Sequence, residues 1–150
     1  MGHTYATNLL HCVFSTKERR KTLTPEMTSR LEPYLTGIAR ANGFKILAAR
    51  AVQDHAHVLL SLPASIALAK AMQLVKGGSS KWIHDTFPAT QAFGWQEGYG
   101  AFSIGISGLQ ATIAYIENQE EHHRERDFET EFIAFLKKHG IEYDERYVFG

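Results

Sequence analysis

The stretch from residue 44 to residue 62 constrains the fold most, because it holds two strand-like segments separated by a very short link. Residues 44–52 and 55–62 are both typical of strands, and only Gln53 and Asp54 stand between them. A link this short suits a tight antiparallel hairpin. We therefore expect these two segments to be neighbours in an antiparallel sheet.

Segments on both sides of the hairpin predict the rest of the fold. Residues 5–16 alternate between two faces as in a strand, Thr24-Pro25 is a good helix start, and Ser107 with Gln110 has the spacing of a capping box. The predicted order is a strand over 5–16, a helix over 25–41, the two hairpin strands, a helix over 66–76 that Gly77-Gly78 interrupts before a helical turn over 81–87, a strand over 95–103, a helix over 108–123 and a last helix over 127–138. This order predicts an α+β fold, the ferredoxin-like or RRM-like split βαβ arrangement, with a four-stranded antiparallel sheet, helices on one face and extra C-terminal helices.

Length and composition predict a single domain over residues 1–150. The 150 residues can bury a core of their own, and the apolar runs are shorter than the roughly 20 residues needed to span a bilayer. Without a signal-peptide pattern, and with Cys12 as the one cysteine, we expect a cytoplasmic protein with no membrane partner. Sixteen basic and sixteen acidic residues argue against DNA binding by bulk charge, but they do not argue against binding through a local basic cluster.

His55 and His57 lie two residues apart in the second hairpin strand, so both point to one face of the sheet. Neutral imidazole binds divalent transition metals, which makes the pair half of a candidate metal site. A hydrogen-bonded structural pair is the alternative. We expect the histidines on an open face of the sheet, because the helices can pack on the apolar residues of the opposite face, Ala56, Val58, Leu60 and Leu62.

Tyr115 and Gln119 are one turn apart in the predicted helix over 108–123 and share a face. Gln119 can offer a carbonyl oxygen to a divalent ion, and Tyr115 can offer its phenol oxygen as a nucleophile. Because an unperturbed phenol has a pKa of about 10, its attack at neutral pH needs help from a cation or a base. Periodicity alone favours the plainer alternative, a half-buried aromatic residue beside a solvated glutamine.

Five segments in order resemble the HUH single-tyrosine DNA transposases, which include small insertion-sequence enzymes and the REP-associated tyrosine transposases. The matching segments are residues 11–17, 55–57, 76–82, 95–103 and 115–119, within a resemblance that covers residues 5 to 125. The resemblance implies a metal-dependent transposase that cleaves and rejoins single-stranded DNA. It further implies that Tyr115 forms a 5′-phosphotyrosine link, and that His55, His57 and Gln119 hold Mg²⁺ or Mn²⁺.

The resemblance also implies partners: single-stranded or hairpin DNA at the ends of a mobile element, a homodimer, and a prokaryotic cell. Whether Tyr115 serves its own subunit or its partner's is left open. The segment around residue 77 lacks Walker spacing, so no nucleotide cofactor is expected. The candidate DNA contacts are basic residues whose alternatives are a solvated loop and a kinked helix, namely Lys17, Arg19, Arg20, Lys21, Lys76 and Lys81.

Two other functions fit the same residues. The first is a non-catalytic single-stranded nucleic-acid-binding or regulatory domain on the same fold. The second and weaker one is a metal phosphodiesterase that uses water in place of a tyrosine. The helix over 127–138 lies outside the matching segments, and its role is open. Its apolar residues near one face are Phe128, Phe132, Phe135 and Leu136.

Overall fold

Strands and helices are interspersed along the chain, with two strands adjacent at the hairpin and two helices after the last strand. The computed structural model describes residues 2–119 and 127–149. Its main elements are β1 (Leu9–Ser15), α1 (Pro25–Ala41), β2 (Lys45–Ala51), β3 (His55–Ser61), α2 (Leu68–Thr86), β4 (Gly100–Ile104), α3 (Leu109–Glu117) and α4 (Phe128–Lys138), with 3₁₀ turns at Lys17–Arg19 and Ile106–Gly108.

The four strands form one antiparallel sheet in the order β2-β3-β1-β4. The predicted hairpin is the β2-β3 pair, and the predicted α+β fold with a four-stranded antiparallel sheet is confirmed. Because β1 and β3 are the inner strands, His57 lies opposite Val13 in the middle of the sheet. The candidate metal residues thus lie on a strand that is hydrogen-bonded to a neighbouring strand on each side.

One face of the sheet is covered by α1 and α2. Thr24 caps α1 by accepting a hydrogen bond from the Met27 amide, and Gly43, with φ of +84°, follows its end in a conformation that glycine adopts readily. The buried residues of α1 recur at helical spacing and pack with Cys12 and Phe14 of β1. They are Met27, Leu31, Leu35 and Ala39.

The predicted break in α2 is wrong, because the helix runs through Gly77-Gly78 without interruption. Gly78 lies against α1, where an added Cβ would come within 3.1 Å of the Ile38 Cδ1 atom. This glycine therefore permits close helix packing instead of ending the helix. It follows that the amides of this segment belong to the helix interior and do not form a free phosphate-binding loop.

The opposite face of the sheet is covered by α4, so the expected open face is wrong. His55 and His57 are fully buried. Gly100 allows the close approach of α4, since a Cβ there would lie 2.7 Å from Phe132 Cε2. The second core includes residues of β1, β4 and α4, namely Val13, Phe102, Phe128, Phe132 and Leu136.

The start of α3 also differs from the prediction. A 3₁₀ turn precedes the helix, so Gly108 takes the cap position and makes no side-chain cap hydrogen bond. Ser107 lies inside that turn, and the predicted capping box is therefore not formed. The helix ends at Glu117, and residues 120–123 of the predicted helix lie outside the described residues.

The predicted fourth strand is shorter than expected, because Trp95 makes only an isolated bridge with Thr16 and regular pairing begins at Gly100. The last helix begins after Asp127, whose side chain accepts the Thr130 amide, close to the predicted bounds. Within residues 2–119 and 127–149, no helix is long and apolar enough to cross a membrane.

Candidate active site

The two histidines of β3 turn their Nε2 atoms towards one carboxylate oxygen of α4. The Nε2 atom of His57 lies 3.0 Å from Glu131 Oε1, and that of His55 lies 3.5 Å from the same oxygen. All three side chains are buried, Glu131 being only 1% exposed. One ligand atom from each residue lies within 4.8 Å of the others, which is compact enough for a metal centre.

The second ring nitrogen of each histidine also has a partner. Nδ1 of His55 lies 2.8 Å from Asp54 Oδ1, and Nδ1 of His57 lies 2.8 Å from His11 Nε2. Histidines that bind metals usually hydrogen-bond through the other ring nitrogen, which fixes the ring orientation and the tautomer. Both imidazoles are therefore held with Nε2 directed to the same point.

Tyr115 reaches the same carboxylate from α3. Its hydroxyl donates a short hydrogen bond to Glu131 Oε2, while Oε1 faces the histidines. The tyrosine is partly exposed, and its ring centroid lies 6.0 Å from that of His57. The two oxygens of one carboxylate thus join the histidine pair to the candidate nucleophile.

Electrostatics at the cluster follow from burial and pairing. Burial alone would raise the pKa of Glu131, but hydrogen bonds from the two β3 histidines and Tyr115 outweigh burial and hold the pKa well below its ordinary value. Burial opposes protonation of His55, yet hydrogen bonds to Asp54 and Glu131 raise its pKa. Burial, assisted by His57, lowers the pKa of His11 to about 3, so this imidazole is neutral at physiological pH.

Gln119, the third predicted ligand, is fully buried. Its amide nitrogen donates to the Tyr115 carbonyl oxygen at 3.2 Å, whereas its Oε1 atom has no hydrogen-bond partner within the part of the chain that the structure describes. A buried carbonyl oxygen without a partner costs about 1–3 kcal/mol. This oxygen is chemically suited to a hard divalent cation.

Glu131 and His11 are the site residues that the sequence interpretation missed. A signal for Glu131 was present, because it lies three residues after Phe128 and four before Phe135, on the apolar side of an amphipathic helix. A charged side chain at such a position is seldom buried without a partner. His11 shares a face of β1 with Val13, which faces the second core.

The basic cluster after β1 is partly used within the protein. Arg19 pairs with Glu129 of α4 at 2.8 Å and donates to the Phe149 carbonyl oxygen at 2.9 Å, and Arg20 pairs with Glu18 at 2.6 Å. The other two predicted DNA contacts in this cluster, Lys17 and Lys21, are exposed.

The two lysines predicted on α2 also have protein partners. The Lys76 ammonium donates to the carbonyl oxygens of Gln96 and Gly98, at 2.7 and 2.6 Å, and so fastens the segment before β4. Lys81 pairs with Asp85 at 2.6 Å one turn away on the exposed side of the helix. Neither is brought near the histidines by any contact described above, so both stay predictions as DNA contacts.

A cavity of about 560 Å³ lies beside the tyrosine, between α3, α4 and the end of β4. Tyr115 and Glu131 line it on the side of the candidate site, and Lys138 and His139 line it at the end of α4. The Tyr115 side chain therefore borders a space whose wall also contains the basic residue Lys138.

The chain matches the family model described as "Transposase IS200 like" over residues 4–119. The chain belongs to the IS200-like transposase family. This transposase is 25% identical to the ISDra2 transposase TnpA of Deinococcus radiodurans over 116 residues, covering 74% of this chain and 83% of that protein. It is 26% identical to the transposase for insertion sequence element IS200 of Salmonella typhimurium over 133 residues, covering 85% and 84%.

Solved structures agree with the fold of this transposase. A crystal structure described as a transposase from Deinococcus radiodurans matches with a TM-score of 0.64 and 26% identity, over 79% of this chain and 96% of that one. A REP-associated tyrosine transposase bound to a REP hairpin matches with a TM-score of 0.59 over 82% of this chain and 73% of that one, at 15% identity, which shows a likeness of fold. The expected enzyme class, a DNA transposase, is confirmed.

Proposed function

We propose that this transposase cleaves and rejoins single-stranded DNA in a reaction that depends on a divalent metal and forms a 5′-phosphotyrosine link through Tyr115. The observation that carries the proposal is the convergence of Tyr115, His55 and His57 on the single carboxylate of Glu131. Without that convergence, the tyrosine and the histidine pair would be separate features of two elements.

The donor atoms fit the ion expected for this chemistry. His55 and His57 offer adjacent Nε2 atoms, and Gln119 offers a buried carbonyl oxygen that has no hydrogen-bond partner among the described residues. Mixed nitrogen and oxygen donors suit Mn²⁺, and Mg²⁺ is the other candidate. When bound, such an ion supplies positive charge that stabilises the charge developing on the phosphate oxygens.

Tyr115 supplies the atom that makes the new bond. Its phenol oxygen attacks the scissile phosphorus and gives up its proton to water, the bond to the 3′ oxygen breaks, and that oxygen takes a proton from water and leaves as a 3′-hydroxyl. The phenol proton is already hydrogen-bonded to Glu131. Because a carboxylate with a lowered pKa is a weak base, Glu131 contributes mainly by holding the phenol oxygen in one orientation.

Rejoining reverses the same exchange. A 3′-hydroxyl attacks the phosphotyrosine phosphorus, a phosphodiester forms, and the Tyr115 phenol is released with its proton. One phosphate ester replaces another in each direction, so the overall free-energy change is small and no ATP is needed. The residues that hold the nucleophile therefore serve both halves of the reaction.

The DNA substrate is proposed to be a single strand or hairpin at the end of a mobile element. Family membership supports DNA as the partner, and one structural relative is bound to a REP hairpin. The cavity beside Tyr115 offers a route for the strand to the phenol oxygen. The homodimer and the cytoplasmic location stay predictions.

The test is covalent capture. The protein is incubated with Mn²⁺ and labelled single-stranded DNA that carries the hairpin flanking its gene, and adducts are separated on a denaturing gel. We expect an adduct from the unaltered protein, none from Tyr115→Phe, and an unchanged yield from Tyr147→Phe, because Tyr147 is an exposed tyrosine outside the cluster. An adduct that persists in Tyr115→Phe, or Tyr115-independent cleavage without any adduct, would exclude the proposed nucleophile.

A further inference from the structure

The C-terminal helix α4 raises a question that family membership does not answer, because the family match ends at residue 119 and α4 begins at Phe128. Its sheet-facing side is aromatic and aliphatic apart from Glu131, which is almost completely buried. An unpaired buried carboxylate is strongly unfavourable, so this residue must be retained by specific partners.

Each oxygen of the Glu131 carboxylate has its own partners. Oε1 faces the Nε2 atoms of both His55 and His57, and Oε2 accepts the hydrogen bond from Tyr115. A purely structural ion pair would need one imidazole only. Here the Nδ1 atoms of both imidazoles already have partners, and both Nε2 atoms face one carboxylate oxygen. Two imidazoles and a carboxylate are an established donor set for divalent ions.

We infer that Glu131 is a protein ligand of the metal, through Oε1, and at the same time the residue that positions the Tyr115 hydroxyl, through Oε2. The inference rests on the proposed function and extends it, because it assigns to α4 a part of the active centre. Two imidazoles and a carboxylate leave further coordination positions open for the Gln119 carbonyl oxygen, a phosphate oxygen and water.

The contacts of Glu131 bring residues from three elements of one chain together. The histidines come from β3, the tyrosine from α3 and the glutamate from α4, and the two histidines and the tyrosine each contact the glutamate directly. The contact between Arg19 and Glu129 holds the first turn of α4 to the loop after β1. Docking of α4 is therefore part of forming the site.

The test measures Mn²⁺ binding to the full-length protein without DNA, by the loss of the free-ion EPR signal and by calorimetry. We expect Glu131→Ala and Glu131→Gln each to weaken Mn²⁺ binding by about tenfold or more, because loss even of an outer-shell partner of a metal ligand typically costs about 10–100-fold in affinity. Tyr115→Phe should bind Mn²⁺ as the unaltered protein does, because the phenol contacts the other oxygen. Glu142→Gln, which alters an exposed glutamate outside the cluster, is the matched control.

Folding is checked by circular dichroism and thermal unfolding of each variant. If Glu131→Ala does not fold, the isosteric Glu131→Gln variant decides. Wild-type affinity or tighter binding in folded Glu131 variants would overturn the inference and leave the proposed function intact, provided the adduct still depends on Tyr115. Absence of Mn²⁺ binding in the unaltered protein would instead overturn the metal dependence itself.

Discussion

The Tyr115 hydroxyl donates a hydrogen bond to the carboxylate of Glu131, which lies 16 residues further along the chain on a different helix. Through this contact α3 and α4 meet over the histidine pair of β3. The phenol is thereby held beside the histidines of its own chain, and this contact predicts that Tyr115 acts in its own subunit.

Hybrid complementation tests this cis arrangement. Tyr115→Phe and His57→Ala chains with different tags are co-expressed, mixed species are purified through both tags, and adduct formation is assayed. We expect no adduct, because no subunit then holds both the phenol and an intact histidine pair. An adduct on the His57→Ala chain would contradict the prediction, since its tyrosine would be acting at the partner's histidines. Chains carrying the two tags without substitutions serve as the positive control.

Local sequence signals predicted most of the backbone. The two-residue link between β2 and β3, the Thr24 cap of α1 and the alternation along β1 act over a few residues, so they can be read without tertiary information. The errors arise where packing decides. Gly78 looks like a helix breaker but makes room for Ile38, and Ser107 looks like a cap but lies within a 3₁₀ turn.

The site was predicted in part for the same reason. The histidine spacing and the Tyr115 turn are short-range patterns that match family motifs, whereas Glu131 joins them only through the docking of α4. The covered face of the sheet could not be predicted from β3 itself, whose alternation is equally compatible with solvent on the histidine side. A buried acidic position on an apolar helix face was the available signal.

Substitution of the two α2 glycines tests the continuous helix. An added Cβ at Gly77 meets no atom within 4 Å, so Gly77→Ala should raise the free energy of unfolding by about 0.5–1 kcal/mol through helix propensity. Gly78→Ala gains the same propensity but crowds Ile38 at 3.1 Å, so it should be the less stable of the two variants. Urea denaturation measures both. Destabilisation by Gly77→Ala would contradict an uninterrupted helix at this position.

The thiol of Cys12 should be inert in the folded protein. Burial raises its pKa to about 12, so the thiolate is scarcely populated at pH 8 to 9 and the sulfur is also shielded from reagents. Because the folded pKa exceeds the unfolded value, the contribution of this thiol to stability is present at neutral pH and is lost as pH rises from about 9 towards 12. Alkylation by iodoacetamide at pH 8.5 should be slow in buffer and fast in guanidinium chloride. Rapid alkylation of the folded protein would show that β1 is not packed as described.

Lys138 should contact a DNA phosphate, because it lines the cavity that also exposes Tyr115 and Glu131. Lys138→Gln should weaken binding of single-stranded element-end DNA and reduce the slope of log affinity against log salt concentration by about 0.7, the value for loss of one phosphate contact on a single strand.

Lys137→Gln is the matched control, since Lys137 is the preceding residue on the same helix and is not among the cavity residues. Adjacent helical residues point about 100° apart, so one lysine can face the strand while its neighbour faces solvent. Fluorescence anisotropy over a salt series measures both slopes. Equal slopes for the two variants would remove the cavity from the path of the DNA, whereas a change confined to Lys138→Gln would support the strand reaching the phenol oxygen between α3 and α4.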